Sequence, residues 1–520
     1  MIARVGTVAL IGFEGALVEV ETDIKQGLPA MHIVGMGNKA VDEARERVRS
    51  ALSNSLLDFP ARKVIVNLAP AELPKDGAHY DLPIALSILV ASGQLRASQV
   101  AGTIFAGELS LSGELRSIRG AITIAEAAQM AGYTKVVVPK INAPQAALIE
   151  SVEVIGVSNL SELFLYLKHE IIIEPTKQEI SGLAPPFDLT IDDIYGQDQA
   201  KRALLIAAAG RHNILLCGPP GAGKTMLAKS LMSLLPPLTK AESLIVTKIH
   251  GIAENLEHRI TSRPFRSPHH TSSPIALIGG GSKPRPGEIS LAHLGVLFLD
   301  ELPEYPRTVL EALRQPLEDR AISISRAHGR ITYPADFMLV ATMNPCPCGY
   351  YGNDGKECSC STTQIMAYQK RLSGPLLDRI DLIVNVSKLS HKIFLDKKSL
   401  QEKQQPMMFE HIMSAQAEQL KHYNNCKIYN ASLSSKDIKK YVTLSPDAQQ
   451  LLLTASQSLD LTARSYFKVI KVAQTIADLA GGGIIQANHI AEALQFRGTT
   501  DAHWCAPLFY LSFFGSIVAE

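Results

Sequence analysis

A short apolar run that leads into a glycine-rich loop and then into a helical pattern constrains this chain more than any other feature. The run covers 213–217, and helical spacing begins at Lys224. Glycines at such a junction let backbone N–H groups surround phosphate oxygens, and the start of the following helix favours an anion. The residues of the loop are Gly218, Pro219, Pro220, Gly221, Ala222, Gly223, Lys224 and Thr225. We expect the Lys224 ammonium to neutralise β- and γ-phosphate charge and the Thr225 hydroxyl to hold Mg²⁺. The alternative to a phosphate-binding loop is a glycine-rich turn between a strand and a helix that binds no ligand.

A phosphate loop of this kind needs an acidic partner on a neighbouring strand. The apolar run 296–299 predicts a buried strand, and Asp300 and Glu301 follow it directly. Asp300 is expected to orient the metal through water, and Glu301 to polarise the attacking water, since phosphoryl transfer depends on positioning and charge. Alone, an acidic pair at a strand end is common. Together with the loop, it predicts a site that hydrolyses a nucleoside triphosphate.

Length and composition limit the number of domains, the kind of partner and the location of the protein. The chain has 520 residues, of which 46% are hydrophobic and 19% charged, with a formal net charge of +1. This length predicts several domains, and the charge does not announce nucleic-acid binding, so any basic surface must be local. The amino-terminal stretch lacks the pattern of a signal peptide, and the apolar carboxyl-terminal stretch is shorter than the ~20 residues that a membrane helix needs. We expect a cytoplasmic protein without a membrane contact.

The pattern of strands and helices divides the chain into several parts. Residues 1–168 alternate strand and helix signals, and a polar connector, 169–190, comes next. A second α/β unit covers 191–386. The remaining parts are a linker helix (387–430), a helical region (431–497) and an atypical tail (498–520).

Four of the seven cysteines crowd into one short segment: Cys346, Cys348, Cys358 and Cys360. So few cysteines do not make a disulfide scaffold, and they suit a reducing compartment. Four soft thiolates there favour tetrahedral Zn²⁺ in a structural site. Buried thiols without a metal and a redox disulfide are the alternatives.

Two basic segments contain no acidic residue. The first is 259–287, with Arg263 and Arg266, and the second is 322–333, with Arg326 and Arg330. The second reads as a β-hairpin about a glycine turn. Basic segments in a nearly neutral protein predict local contacts with DNA phosphates. Arginines that bridge subunits or bind nucleotide are the alternative.

The order of these motifs resembles a family. The phosphate loop, "LFLDE", "ATMN" and "LLDRID" are similar to an AAA+ ATPase, and "FRSPHHTSSPIALIGGG" with "PGEISLAHLGVLFLDELPEY" resembles its magnesium-chelatase branch. With the amino-terminal part included, residues 1–497 resemble the YifB/ComM family. The resemblance implies an ATP-driven DNA motor of competence and recombination. Such a motor is a hexameric ring helicase that promotes branch migration and works with recombination proteins.

The resemblance also assigns roles to single residues. Asn344 matches sensor 1, which holds the attacking water, and Arg379 matches the arginine finger that reaches a neighbouring subunit's nucleotide. A salt-bridged surface arginine is the alternative for Arg379. Arg464 matches sensor 2 on a carboxyl-terminal helical lid and is expected to act either in cis or in trans. Gln197 stands where the family borders adenine, although an ordinary loop explains it nearly as well. Both basic segments would be insertions that face the ring pore.

The amino-terminal part resembles the Lon protease domain, a fold like domain 2 of ribosomal protein S5. The motif "LPKDGAHYDLPIALSIL" carries the likeness, but His79 stands where that family has its serine nucleophile, and Ile122 and Ile124 occupy the candidate positions of the lysine. A Ser–Lys mechanism needs both groups, so we expect a degenerate domain that is not a protease. The charged cluster of Lys75, Asp76, His79 and Asp81 is expected to be a solvated loop, with a relic or a binding surface as the alternative.

Two rival functions stay open at this level. One is an ATP-driven remodeller of a protein complex that resembles the magnesium-chelatase motor subunit, and the other is a regulatory ATP switch. Two departures from the family, Gln416 and Gln474 in place of arginines, are expected to weaken the lid or an interface.

Overall fold

The fold is built around two β-sheets, with a group of helices after them in the chain. The computed structural model describes residues 2–35, 40–177, 187–254, 256, 259–281, 285–326, 329–352, 356–389, 403–425 and 428–497, apart from the side chains of 40–42, 325, 326 and 329. The predicted tail, 498–520, lies outside these residues. Within the described ranges, no helix has the length and apolar character to cross a membrane.

The first sheet has seven strands in the order β3-β4-β2-β1-β5-β8-β9. Its strands and the short β6–β7 ribbon are β1 (Ala3–Ile11), β2 (Glu14–Lys25), β3 (Ala30–Val34), β4 (Lys63–Ala69), β5 (Thr103–Phe105), β6 (Glu108–Leu109), β7 (Leu115–Arg116), β8 (Lys135–Pro139) and β9 (Glu153–Val157). The helices of this part are α1 (Ala40–Asn54), α2 (Asp81–Ala91), α3 (Ala97–Val100), α4 (Ala121–Met130), α5 (Ala143–Ala146) and α6 (Leu160–Leu167). In β4 every second side chain is buried, as expected for a strand with one face on the core. Helix α2 is buried from Asp81 to Leu89 because it packs between the sheet and α1.

The second sheet is fully parallel, with the order β11-β14-β17-β10-β18. Its strands, with two small ribbons, are β10 (Ile214–Cys217), β11 (Phe265–Arg266), β12 (Gly279–Gly280), β13 (Arg285–Pro286), β14 (Val296–Leu299), β15 (Ala321–Arg326), β16 (Gly329–Pro334), β17 (Met338–Met343) and β18 (Leu382–Asn385). The helices of this part are α7 (Asp198–Gly210), α8 (Lys224–Ser230), α9 (Lys240–Ala253), α10 (Pro274–Ile278), α11 (Glu288–Leu291), α12 (Arg307–Ala312), α13 (Arg314–Asp319), α14 (Thr362–Gln369) and α15 (Gly374–Leu377). The predicted α/β character and the predicted hairpin, β15–β16, are confirmed.

Register in the second sheet decides which side chains meet. Cys217 of β10 lies beside Met343 of β17, and Leu299 of β14 lies beside Ala341. These strands are parallel and buried, so their carboxyl ends emerge at one edge, where ligands bind in open α/β sheets. The phosphate loop, the acidic pair and Asn344 all leave the sheet there.

The carboxyl-terminal helices pack on the second sheet's helical layer. They are α16 (Gln404–Tyr423), α17 (Ser435–Tyr441), α18 (Pro446–Ser458), α19 (Ala463–Leu479) and α20 (Ala487–Gln495). Helices α16 and α19 share one apolar core with α7. The buried ring of His212 contacts the Thr475 hydroxyl of α19 at 2.7 Å, and Lys468 donates to the Ile380 carbonyl at 2.7 Å. The helical group is therefore joined to the sheet by both apolar and polar contacts.

The first sheet's layer docks on α9 and on the hairpin. The Gly120 N–H donates to the Gly251 carbonyl at 3.1 Å, and the Lys248 ammonium lies 4.1 Å from the centre of the Phe13 ring. Phe13 and Ile331 of β16 belong to the same apolar cluster. The turn between β1 and β2 thus touches the middle of the basic hairpin, where Ile331 pairs with Ile324.

Candidate active site

The glycine-rich loop between β10 and α8 has the shape that a phosphate needs. Gly221 and Gly223 have φ values of 75° and 88°, in the left-handed region that favours glycine. At Gly218 a Cβ would lie 2.1 Å from the Val386 carbonyl oxygen, so no larger residue fits. No other atom lies within 4 Å of where a Cβ on Gly221 or Gly223 would be, so the concave side is open. These residues therefore fit a nucleotide phosphate.

Lys224 is held inside this loop. Its ammonium donates to the carbonyls of Gly218 at 2.7 Å and Pro219 at 3.0 Å, and to Oδ1 of Asn344 at 3.0 Å. Burial lowers the pKa of Lys224, while the carboxylates of Asp300 and Glu301 act in the opposite direction. The structure thus brings the predicted lysine and the predicted sensor residue together.

The acidic pair is organised by a residue that the sequence motifs did not single out, Thr342. The Thr342 hydroxyl donates to Oδ1 of Asp300 and accepts the Glu301 N–H at 3.0 Å, and Thr342 is fully buried. The Thr225 hydroxyl donates to Oδ2 of Asp300 at 3.3 Å. The only signal for Thr342 was its place in "ATMN", two residues before Asn344. One carboxylate therefore joins the phosphate loop to both neighbouring strands.

Glu301 adopts an unusual backbone conformation, with φ at 52°. For a residue with a side chain this region costs about 1–2 kcal/mol, and such strain is typical of functional positions. Since Glu301 directly follows β14 and is exposed, its carboxylate leaves the sheet at the same edge as Asp300. Gln197 also has a positive φ, at 58°, and its amide donates to the Ser387 carbonyl at 2.7 Å and to the Ala222 carbonyl at 3.5 Å. Gln197 thus lies beside the phosphate loop.

Arg379 and Arg464 lie apart from this cluster and meet each other. Both guanidinium groups bind the carboxylate of Glu318, and the Arg464 Nη2 donates at 3.0 Å. All three residues line a cleft of about 590 Å³ between the second sheet's layer and the carboxyl-terminal helices. The phosphate-loop residues do not line this cleft.

The two predicted DNA-contact residues of the first basic segment, Arg263 and Arg266, both have partners within the subunit. The Arg263 side chain is only 8% exposed, and it donates to the carbonyls of Pro236 at 2.6 Å and Leu294 at 2.7 Å. Arg266 makes a two-pronged pair with Glu288, at 2.6 and 2.7 Å. The segment itself lacks acids, but neighbouring parts of the chain supply them. Arg263 is therefore a structural residue of the core, and the structure does not favour either arginine as a DNA contact.

The hairpin β15–β16 retains an accessible cation. Arg330 is exposed, and its Nη2 donates only to the Ser323 hydroxyl, at 2.9 Å, among the residues described. Arg326 ends β15 opposite Gly329, and its side chain lies outside the part of the chain that the structure describes. The hairpin thus offers an accessible arginine to a phosphate, and in the first basic segment Arg285 is exposed as well.

The four cysteine sulfur atoms come together. All four lie within 4.8 Å of one another, with Cys346 3.3 Å from Cys348 and 3.7 Å from Cys358. They are free thiols. A tetrahedral zinc with Zn–S bonds of ~2.3 Å sets its sulfur atoms about 3.8 Å apart, close to these distances. The Tyr351 N–H donates to the Cys346 sulfur at 3.4 Å, as backbone groups do around bound metals.

The cysteine loop lies directly against the phosphate loop. A Cβ on Gly349 would be 2.5 Å from the Pro220 ring. The loop also begins two residues after Asn344, and Gln369 holds the intervening Pro345 carbonyl at 3.2 Å. The cysteine loop, the phosphate loop and Asn344 are therefore one packed unit.

Three of the four residues in the charged cluster of the amino-terminal part are not solvated, so the expectation was wrong for them, whereas Asp76 is exposed. Lys75, His79 and Asp81 are all buried. Lys75 donates to the Gly35 carbonyl at 3.0 Å, and His79 Nε2 lies 2.9 Å from the Val8 carbonyl. Burial lowers the pKa of His79 to about 4. Chain segments far apart in sequence cover these groups and supply their partners. Ile122 and Ile124 are likewise buried in an apolar cluster, and neither can supply the amine that a Ser–Lys mechanism needs.

The two departures from the family pattern are accommodated locally. Gln474 is buried and donates to Oδ1 of Asp478 at 2.8 Å, and Gln416 donates to the Ala208 carbonyl at 3.3 Å. Both amides therefore have partners within the helical group or its contact with α7.

A phosphate loop after β10, an acidic pair after β14 and a polar sensor after β17, on neighbouring parallel strands, define a P-loop ATPase of the AAA+ class. Comparison with known families agrees. Residues 190–394 match the family described as magnesium chelatase, subunit ChlI. Residues 20–142 match subunit ChlI of Mg-chelatase, and 402–497 match the carboxyl-terminal family of the same subunit.

Similarity to individual proteins shows which family within the AAA+ class includes this chain. An uncharacterized protein of Salmonella typhimurium named YifB is 42% identical over 499 residues, 95% of this chain and 97% of that protein. Competence protein ComM of Haemophilus influenzae is 42% identical over 500 residues, 94% and 96% of the two chains. The ATP-binding subunit ClpX of Treponema denticola is 25% identical over 202 residues, 33% and 43% of the two chains. The chain belongs to the YifB/ComM family.

Proposed function

We propose that this protein is a ring-shaped ATPase that moves DNA and promotes branch migration of recombination intermediates during DNA uptake. The observation that carries the proposal is the division of the nucleotide machinery within one subunit. Lys224, Asp300 and Asn344 meet at one edge of the sheet, whereas Arg379 and Arg464 share a separate cleft. Such a subunit completes its site only with a neighbour, and we take a hexamer as the ring, as in the family.

Each residue at the sheet edge has a role in this proposal. The phosphate-loop N–H groups and the Lys224 ammonium bind and orient the phosphates of ATP. Magnesium neutralises charge on the phosphates when bound, and Thr225 with Asp300 would hold it. The Glu301 carboxylate polarises the water that attacks, and Asn344 fixes where that water lies. Gln197 borders the base.

Arg379 and Arg464 would both act in trans. Their common partner, Glu318, places them on one face of the subunit. Arginine suits this role because its rigid fork matches phosphate oxygens. A test mixes Arg379→Ala with Lys224→Ala, since each mixed interface can then contain one intact loop and one intact finger. Partial recovery of turnover supports action in trans, and no recovery in any mixture contradicts it.

DNA contact rests on the hairpin β15–β16. Arg330 is exposed there, Arg326 is beside the turn, and the relative ComM is named a competence protein. Phosphate contacts of this kind are independent of sequence and sensitive to salt, with a slope that falls by about 0.7–0.9 for each lost contact. We propose that the hairpins line the ring and follow the DNA backbone. Such a motor acts in the cytoplasm, where recombination proteins are its partners.

The experiment that tests DNA movement measures ATPase against single-stranded, duplex, forked and four-way-junction DNA. Stimulation by branched DNA is expected, and an Arg326→Ala, Arg330→Ala double variant should lose it while keeping basal turnover and ring size. Arg62→Ala, at an exposed arginine of the first sheet's layer, is the control and should keep stimulation. A wild-type ATPase that no DNA stimulates would contradict the proposal. It would favour a remodeller like the magnesium-chelatase motor, to which the matched families point.

The amino-terminal part would be a degenerate Lon-like domain without peptidase activity. Its buried His79 and the apolar positions 122 and 124 offer no nucleophile and no amine. We propose that this domain supports the motor, because it contacts α9 and the middle of the hairpin.

We also propose that Cys346, Cys348, Cys358 and Cys360 hold a structural zinc. Four thiolates fill a tetrahedral shell and leave no open position, so the ion would staple the cysteine loop against the phosphate loop. Metal analysis of protein purified without chelator should find one zinc per chain, and a Cys348→Ser, Cys358→Ser variant should lose it and melt at a lower temperature. Reduced protein without zinc, or a mass that reveals a disulfide, would contradict this assignment.

A further inference from the structure

A single carboxylate, that of Glu318, joins the two arginines of the cleft. Oε2 of Glu318 accepts from Arg379, and Oε1 accepts from Arg464 at 3.0 Å. The three residues come from three different elements: Glu318 from α13, Arg379 from the turn after α15, and Arg464 from the first turn of α19. Glu318 therefore links the sheet layer to the carboxyl-terminal helices at the place where both arginines are displayed.

The surroundings make this carboxylate important for the orientation of both cations. Glu318 is the only partner of Arg464 within the described ranges, and the Arg464 side chain is 54% exposed. The Arg379 side chain is only 14% exposed, and its other hydrogen bond goes to the Pro375 carbonyl at 2.6 Å. The cleft is also lined by basic and acidic side chains: Arg211, Arg320, Lys468, Lys471, Asp336, Asp378 and Asp381. Without Glu318, six basic side chains would face three carboxylates, and the two guanidinium groups would lose the carboxylate between them and repel each other.

Glu318 is itself half exposed, so its hold on the arginines is reversible. Its side chain is 52% exposed, and exposed ion pairs contribute little to stability. A nucleotide phosphate carries more negative charge and more acceptor oxygens than one carboxylate, and it can displace a half-exposed partner. The pair of arginines can therefore be kept in place by Glu318 and then released to a phosphate.

We propose that Glu318 is a positioning residue for ATP hydrolysis, which keeps Arg379 and Arg464 together and aimed outward until the neighbouring subunit's nucleotide takes over their contacts. The inference rests on the proposed trans role of the two arginines. Glu318 lines a cleft that no phosphate-loop residue lines, so we place it outside the ATP contacts of its own subunit. Its loss must therefore act on turnover and not on ATP binding.

The test compares Glu318→Gln with Glu311→Gln. Both glutamates bind an arginine, but the partner of Glu311 is Arg314, outside the cleft. In Glu318→Gln, kcat for ATP should fall about tenfold, since the amide keeps one acceptor oxygen, places an NH2 group against the other guanidinium and carries no charge to hold the pair, while the Kd for a fluorescent ATP analogue stays within about twofold. Glu311→Gln should change neither, and Glu318→Asp should restore part of kcat. Thermal melting and size-exclusion chromatography should show that every variant folds and assembles.

Two further measurements separate a positioning role from a merely structural one. Glu318→Gln subunits mixed with Lys224→Ala subunits should regain turnover, because the two defects lie on opposite sides of an interface. In an Arg379→Ala, Arg464→Ala background, Glu318→Gln should lower the remaining kcat by less than about twofold, since the effect passes through those two arginines. If Arg379→Ala itself leaves turnover intact, the trans role fails. If Arg379→Ala lowers turnover but Glu318→Gln does not, or if the loss in Glu318→Gln adds fully to that of the double arginine variant, the role of Glu318 fails.

Discussion

Replacing Thr342 by valine tests how the acidic pair is organised. Valine has nearly the same shape, so the fully buried site stays filled, but the hydroxyl is lost. The change removes the donor to Oδ1 of Asp300 and the acceptor for the Glu301 N–H, which lies at 3.0 Å. A bond to a charged group contributes about 1.5–3 kcal/mol and a neutral one about 0.5–1.5 kcal/mol. Together they amount to roughly 2–4.5 kcal/mol of local free energy.

If even part of this free energy is lost from the transition state of ATP hydrolysis, the rate falls strongly. Each 1.4 kcal/mol corresponds to about tenfold, so we expect kcat to fall at least about tenfold in Thr342→Val. Affinity for an ATP analogue should change little, because the contacts of Lys224 do not involve Thr342. The Mg²⁺ concentration at half-maximal rate should rise, since Asp300 loses one of its two hydroxyl donors.

The assay is steady-state ATPase over a range of Mg²⁺ concentrations, together with analogue binding and thermal melting. Thr342→Ser is the matched control, since it keeps the hydroxyl and loses only a methyl group, and its kcat should stay within about threefold of the wild type. A Thr342→Val protein that hydrolyses ATP within about twofold of the wild type, with an unchanged Mg²⁺ requirement, would refute the reasoning.

Three further outcomes are expected. Lys224→Ala should lose nucleotide binding, whereas Glu301→Gln should bind ATP and stall; near-normal turnover of Glu301→Gln in an ATPase assay would contradict the role of Glu301. The purified protein should cleave no casein or peptide with or without ATP, and cleavage that persists in Lys224→Ala after further purification would overturn the absence of peptidase activity. Burial lowers the pKa of His79 to about 4, so below pH 6.5 the unfolded chain takes up a proton that the folded chain refuses, and stability falls as pH falls. At pH 5 this loss is about 2 kcal/mol. Burial raises the pKa of Asp81 to about 6, and that group opposes the trend in both proteins. The change in unfolding free energy from pH 7 to pH 5, measured by chemical denaturation, should therefore be more favourable by about 2 kcal/mol in His79→Gln than in the wild type, and an equal change in both proteins would contradict the assignment.

The sequence by itself determined the nucleotide site and its class. Gly218 to Thr225, the acidic pair Asp300 and Glu301, and Asn344 each come directly after a short apolar strand, and the carboxyl ends of parallel strands meet at one edge of a sheet. The hairpin β15–β16 and the gathering of the four cysteines were also readable, because both depend on residues close together in the chain. The phosphate loop is formed by consecutive residues, so the pattern of the sequence is enough to predict it.

Only the tertiary structure decided which charged residues are free. Arg263 and Arg266 stand in a stretch without acids, yet Arg266 meets Glu288 and Arg263 is enclosed by carbonyls from two other segments. Lys75 and His79 looked solvated and are buried.

The tertiary structure also revealed the roles of two residues that no sequence motif marked. Thr342 organises the acidic pair through contacts across neighbouring strands, and Glu318 binds one arginine from a turn and another from a helix. The exposure and partners of a polar side chain depend on which distant segments pack over it, and packing is set by the whole chain and not by the pattern around one residue.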